Sequence, residues 1–283
     1  MTSASPEASG SVTPAVEIAG LTKRFGGLTA VSDIDIEVAE RRIHGILGPN
    51  GAGKTTVLNM ISGFIAPDDG SISVFGHEVT RIPPHRIARH GVARTYQNIR
   101  LFAGMTVLET VVAGAYLRRS STIGGTLLLS PGERRERRRV REQAHSILEQ
   151  VGVRSAHDEL AETLSYGDQR RVEIARALAT DPKVLLLDEP TAGMNDAESH
   201  EIGQLLLELR ESGLTLILIE HNMRLVEGFC ESVSVMNSGV MLAQGTPGWC
   251  LEQDDVREAY FGKRSDAARI ATLRRARRGS GGS

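Results

Sequence analysis

The chain has 283 residues, 40% hydrophobic and 24% charged, with a formal net charge of −2, enough for one large α/β domain or two small ones with a sizeable core. Aromatics are only 4%, which argues against a surface that stacks bases, and the near-neutral charge argues against nucleic acid as a global partner. No apolar run approaches a membrane span, and the N-terminus lacks an apolar signal core. Cys230 and Cys250 have no metal-ligand or redox spacing, so both are expected as reduced thiols in a cytosolic protein.

Met1 to Pro14 is Ser/Thr/Ala/Pro-rich and is expected to be disordered. Val16-Glu17-Ile18 alternates like a strand, and Ile34-Asp35-Ile36-Glu37-Val38 does so more clearly. Lys23 to Gly27 lies between them as a turn carrying an exposed aromatic, Phe25, which by itself reads as an ordinary surface or core residue. Two strands this early predict an antiparallel β layer beside the main sheet.

Next comes the apolar run Ile43 to Leu47, followed by Gly48-Pro49-Asn50-Gly51-Ala52-Gly53-Lys54-Thr55-Thr56. This stretch meets every fixed position of the phosphate-loop pattern G-x-x-x-x-G-K-S/T. Val57 to Ile61 reads as the start of a helix, which completes the strand–loop–helix context the pattern requires. The glycines let the backbone turn sharply, so that successive N–H groups form an anion nest, and the helix dipole adds to it. Lys54 is expected to reach the β- and γ-phosphates of a nucleoside triphosphate, and the Thr55 hydroxyl to ligate Mg²⁺.

Pro67 to Gly70 then reads as a turn, Ser71 to Phe75 as a strand, His85 to Arg89 as a short helix and Val92 to Thr95 as another strand. From Thr106 to about Val153 the pattern is mostly helical and interrupts the strand–helix alternation, like an inserted subdomain. Within it, Glu133 to Glu142 is packed with arginine, either a solvated helix face or a contact with lipid headgroups or a partner. Alternation resumes with a helix from about Asp168 to Ala179, the strand Val184 to Leu187, a helix over Glu198 to Arg210 and the strand Thr215 to Ile219. Such continuous apolar runs suit strands buried on both faces of a parallel sheet. The tail carries Arg269, Arg274, Arg275, Arg277 and Arg278, then a Gly/Ser end that reads as a flexible linker.

The strand Val184 to Leu187 ends in Asp188-Glu189, at the carboxyl end where open α/β sheets bind ligands. Asp188 is placed to hold Mg²⁺ through its water shell, and Glu189 to polarise the attacking water as general base. Leaving two carboxylates near a phosphate site would be repulsive without a metal, which argues against their merely ending a strand. Leu164-Ser165-Tyr166-Gly167-Asp168-Gln169-Arg170-Arg171 precedes a helix, with Ser165 as a cap and Gly167 freeing the backbone to approach an anion. That segment reads equally as a capped helix or as an anion site.

Together these motifs resemble the nucleotide-binding subunit of an ATP-binding cassette (ABC) transporter, over nearly everything from Val16 to Gly262. Leu164 to Gln169 is similar to that family's LSGGQ signature, with Tyr166 and Asp168 as departures. The resemblance implies the P-loop ABC ATPase fold: a RecA-like, mostly parallel sheet, an antiparallel β subdomain and an inserted helical subdomain. It places the ATPase domain at 15–262, with the helical subdomain at about 100–180, between an extension over 1–14 and a tail over 263–283. ATP and Mg²⁺ are the implied cofactors. Phe25 matches the aromatic that stacks on adenine, and Gln97 the glutamine loop that touches Mg²⁺ and the transport subunit. Gly193 to Asp196 matches the D-loop, with Asn195 where many relatives carry aspartate. His221 matches the switch histidine that contacts the γ-phosphate. Ser165, Gly167, Asp168 and Gln169 would act on ATP held by a second subunit. Arg170 and Arg171 would offset the charge of Asp168.

Thr95 to Phe102, the long arginine-rich insert, Ala192 to Asn195 and the ending Val256 to Gly262 are similar to branched-chain (hydrophobic) amino-acid importer ATPases. This implies a peripheral subunit on the cytoplasmic face of the inner membrane. Its partners would be a second related ATPase, as a hetero- or homodimer, two membrane permeases and, indirectly, an extracytoplasmic solute-binding protein, with no nucleic acid. Importers of urea or short-chain amides share much of the pattern. An ATPase of lipid or lipopolysaccharide export, or a soluble ABC ATPase acting on ribosomes or DNA, is the alternative.

Overall fold

A computed structural model describes residues 13–97, 101–117 and 131–261. The expectations for residues 1–12, for Asn98 to Arg100, for part of the insert at 118–130 and for the tail at 263–283 lie outside the described residues. β1 (Val16–Phe25) and β2 (Leu28–Val38) form a hairpin over Gly26-Gly27. Both strands are longer than their alternation suggests, because register shifts around Leu21 and Lys23 bulge the pair and blur the period of two. β3 (Ile43–Leu47) is buried throughout, and α1 (Lys54–Ile61) follows the phosphate loop. β4 (Asp69–Val74), β5 (His77–Glu78), the short α2 (Pro84–Ile87), a 3₁₀ turn at Ala88–His90 and β6 (Val92–Arg94) come next. Three helices then break the alternation: α3 (Val107–Leu117), α4 (Pro131–Gln150) and α5 (Tyr166–Leu178). β7 (Val184–Asp188), α6 (Asp196–Glu211), β8 (Thr215–Ile219) and α7 (Met223–Phe229) resume it. β9 (Ser232–Asn237), β10 (Val240–Gly245), α8 (Pro247–Glu252) and α9 (Asp254–Phe261) complete the described chain.

The strands make two sheets. One is antiparallel, in the order β2-β1-β4-β5. The other, β10-β9-β3-β8-β7-β6, is parallel except for the edge strand β10. Both were expected from the motif context.

The period of two in each central strand decides where the layers go. Val184 and Leu186 of β7 turn toward α1 and the antiparallel sheet, packing with Ile46, Leu58 and Ile72. Leu185 and Leu187 turn the other way, toward α5, α6 and α7, with Val172, Leu206 and Val226. Each such side chain contributes about 1.5–3 kcal/mol by leaving water. The two-sided burial explains why these strands read as unbroken apolar runs.

On α4, Val140, Ala144, Ile147 and Leu148 are buried at helical spacing, while Arg134, Arg135, Arg137, Arg138, Arg139 and Arg141 stand exposed. Arg138 pairs with Glu142 one turn on, at 2.8 Å. The sheet's carboxyl edge carries the residues of chemical interest.

Candidate functional site

The turn from β3 into α1 is shaped by backbone that rejects side chains. Gly48 sits at φ 148° and Gly53 at φ 100°. A Cβ would strike the Met236 carbonyl oxygen at the first and the Ala30 carbonyl oxygen at the second. Gly53 is also the N-cap of α1, so no side chain caps that helix and its first amides are left for a ligand.

These amides border a cavity of about 590 Å³ walled by Asn50 to Thr56, by Leu28 to Ala30 on one side, and by Gln97, Glu189 and Ser238 on the other. Lys54 is 7% exposed. Its ammonium donates to the Gly48 and Pro49 carbonyls at 2.7 and 3.0 Å. Burial pulls its pKa down, while Glu189 and Asp188 pull it back up. A cation so placed, facing two carboxylates over a nest of amides, suits an anion that brings a divalent cation with it.

Asp188 closes β7 and is 4% exposed. Burial raises its pKa; a hydrogen bond and the charge of Arg94 act against that shift. Arg94 Nη2 donates to Asp188 Oδ2 at 3.0 Å. Arg94 and Lys54 thus bring positive charge beside the two carboxylates. Glu189 takes the left-handed conformation at φ 47°, which costs a non-glycine residue about 1–3 kcal/mol and points to function. That turn ends the strand and aims Glu189 into the cavity beside Lys54. Gln97 Nε2 donates to Glu189 Oε2 at 2.8 Å, and His221 Nδ1 stands 3.9 Å from Glu189 Oε1 on a mostly exposed side chain.

Among the described residues no cluster of three His, Cys, Asp or Glu side chains could hold a metal alone. The Thr55 hydroxyl, Asp188 and the Gln97 amide oxygen are instead a sparse set of hard oxygen donors. Such a set fits Mg²⁺, which keeps waters and takes substrate phosphates.

Two expectations fare differently. Phe25 ends β1 at 46% exposure with Lys23 Nζ 5.5 Å from its ring, and it is not among the cavity's lining residues. Leu28, Thr29 and Ala30 form that wall. Ser165 caps α5, accepting from the Asp168 amide at 3.2 Å and donating to Asp168 Oδ2 at 2.8 Å. Ser165, Gly167 and Asp168 line a separate depression with Met194 and Glu198, apart from the phosphate loop. The Gln169 amide turns inward to the Glu162 and Leu164 carbonyls. Asn195 caps α6 in a reciprocal capping box with Glu198.

Arg170 and Arg171 pair with other residues, although Arg171 lines the same depression as Asp168. Arg171 pairs with Glu201 and bonds the Val151 carbonyl. Arg170 is fully buried, bound to Glu173 at 2.7 Å and to the Tyr96 and Gln97 carbonyls at 2.7 and 3.0 Å. It ties the glutamine segment to α5. Sequence reasoning missed the buried, bracing positions of Arg94 and Arg170. The available signal was a charged residue inside an apolar run, Val92-Ala93-Arg94, since arginine is rarely buried unless paired.

A family model described as "ABC transporter" matches residues 31–192. The chain is 43% identical over 251 residues, 88% of its own length, to the high-affinity branched-chain amino acid transport ATP-binding protein BraF of Pseudomonas aeruginosa, covering 98% of that protein. It is 35% identical over 86% of its length to the lipopolysaccharide export system ATP-binding protein LptB of Haemophilus influenzae, covering 95% of it. Among solved structures, the ADP conformation of MJ1267, an ATP-binding cassette of an ABC transporter, superposes with a TM-score of 0.78 at 31% identity, over 89% of this chain and all of that one.

Proposed function

The chain belongs to the ABC transporter ATP-binding family, and from that premise we propose that it powers uptake of branched-chain or other hydrophobic amino acids through partner permeases. The ATPase chemistry rests on one observation above all, the Gln97–Glu189 hydrogen bond beside buried Lys54 and Asp188. The direction and cargo rest on the greater identity to the amino-acid transport relative than to the lipopolysaccharide export relative, 43% against 35%.

In this reading Gly48 to Thr56 cradles the triphosphate, Lys54 exchanging its two loop carbonyls for phosphate oxygens. Thr55, Asp188 and Gln97 would hold Mg²⁺, which would neutralise charge on the phosphates. Glu189 takes a proton from the attacking water, and His221 reaches the γ-phosphate from its exposed position. Phe25 packs against adenine from the hairpin edge. Ser165, Gly167, Asp168 and Gln169 serve ATP held by a second ATPase subunit. Moving an open–closed equilibrium from mostly open to mostly closed takes about 5.5 kcal/mol, which several charge-assisted hydrogen bonds to a triphosphate can supply. Hydrolysis then removes the γ-phosphate and releases the clamp.

Phe64 and Tyr96 border an apolar cleft of about 280 Å³ with Pro84, Ile87 and Val92, next to the glutamine segment, and here we place the permease. Among the described residues no helix is long and apolar enough to cross a membrane. The two permeases hold the chain at the cytoplasmic face, and a binding protein outside delivers solute. The test is ATP hydrolysis by the reconstituted complex with its binding protein and a panel of solutes. Leucine, isoleucine and valine should stimulate most. Stimulation by urea or short amides instead, or by lipopolysaccharide, would overturn the assignment.

A further inference from the structure

Arg94 bonds side chains of two other elements at once. It closes β6, and its side chain is 6% exposed. Nη1 donates to Asn59 Oδ1 at 2.7 Å and to Ser62 Oγ at 3.0 Å, while Nη2 donates to Asp188 Oδ2 at 3.0 Å. Its guanidinium carbon lies 5.9 Å from the Phe64 ring centroid and 5.3 Å from that of Tyr96, and those two rings meet edge to face.

The elements so joined, α1 and β7, present two of the three oxygen donors, Thr55 and Asp188. Asn59 lies one helical turn after Thr55 on the same face of α1, so a bond to Asn59 fixes the rotation and height of Thr55. The bond to Asp188 fixes the end of β7. We infer that Arg94 is a positioning residue for the metal, a brace that sets the separation of Thr55 and Asp188 and holds one oxygen of Asp188 so that the other is left for hydrated Mg²⁺. This inference rests on the proposed Mg²⁺ site. Arg94 reaches the two partners through different nitrogens of a rigid planar fork, a span that the single ammonium of lysine does not offer. The covering rings of Phe64 and Tyr96 also line the apolar cleft, so the brace is one side chain away from the surface assigned to the permease.

The test is a Mn²⁺ titration, followed by the electron spin resonance of free Mn²⁺, of the full chain saturated with a non-hydrolysable ATP analogue. Arg94→Gln should weaken Mn²⁺ retention by about tenfold or more, the usual effect of losing an outer-shell partner. Arg94→Lys should weaken it less, because it keeps the charge and loses the fork. Affinity for a fluorescent ATP analogue in EDTA should stay at the wild-type value in both. If Arg94→Gln does not fold, Arg94→Lys alone decides. Unchanged Mn²⁺ affinity with only a lower melting temperature would make Arg94 purely structural and overturn the inference. Tighter Mn²⁺ binding in Arg94→Gln would overturn it too, since Arg94 would then be competing with the metal. Failure of the wild type itself to retain Mn²⁺ would overturn the metal site and the brace together.

Discussion

The phosphate loop and the entry to α5 look alike as sequences, each a glycine-bearing turn leading into a helix. In the folded chain they are opposites. At α1 no side chain caps the helix, its lysine is buried, and Glu189 and Gln97 line the opening. At α5 Ser165 caps the helix from within and stays exposed, and Asp168 accepts its hydroxyl. The first region is left incomplete by its own chain and calls for a ligand. The second is satisfied by its own chain and can wait for a ligand that another molecule carries.

The largest effect that would sharpen this contrast lies on the phosphate-loop side. Glu189→Gln should lower steady-state turnover of the assembled transporter by about 10²–10⁴-fold, the usual worth of a general base, and leave ATP bound. Turnover at the wild-type rate would remove Glu189 from the chemistry.

A smaller effect comes from beneath the loop. His44 of β3 is 3% exposed, held between Ser232 and Ser234 at 2.8 and 2.9 Å, and burial pushes its pKa down to about 4 from 6.5. Above pH 6.5 the imidazole is neutral in folded and unfolded chains alike. As pH falls from about 6.5 to about 4, only the unfolded chain takes up the proton, so stability falls; below about 4 this loss is complete. A shift of that size corresponds to about 3 kcal/mol. His44→Gln should flatten this part of the pH–stability curve in urea denaturation, and an unaltered curve would rule His44 out as its source.

The same contrast explains what could be read from the sequence. Gly48 to Thr56, Asp188, Glu189 and the buried strand runs were legible because each motif is local and its chemistry constrains neighbouring residues. Arg94 was not, because its partners Asn59, Ser62 and Asp188 come from two other elements and only the fold brings them together. The left-handed backbone of Glu189 leaves no trace in residue type. The partners of Arg170 and Arg171 are hidden in the sequence for a related reason. Adjacent arginines in sequence suggested neutralisation, yet helical geometry sends Arg170 into the core and Arg171 toward Glu201.

The smallest expected effect, no change at all in ATP binding by the isolated chain, is the most decisive. With Ser165→Arg, ATP affinity of the isolated chain, read with a fluorescent ATP analogue, should equal that of the wild type, because Ser165 lies apart from the cavity of its own chain. Hydrolysis by the assembled transporter should nevertheless be lost, because the opposite site loses its clamp. Loss of ATP binding by the isolated Ser165→Arg chain would contradict the two-chain site at its foundation.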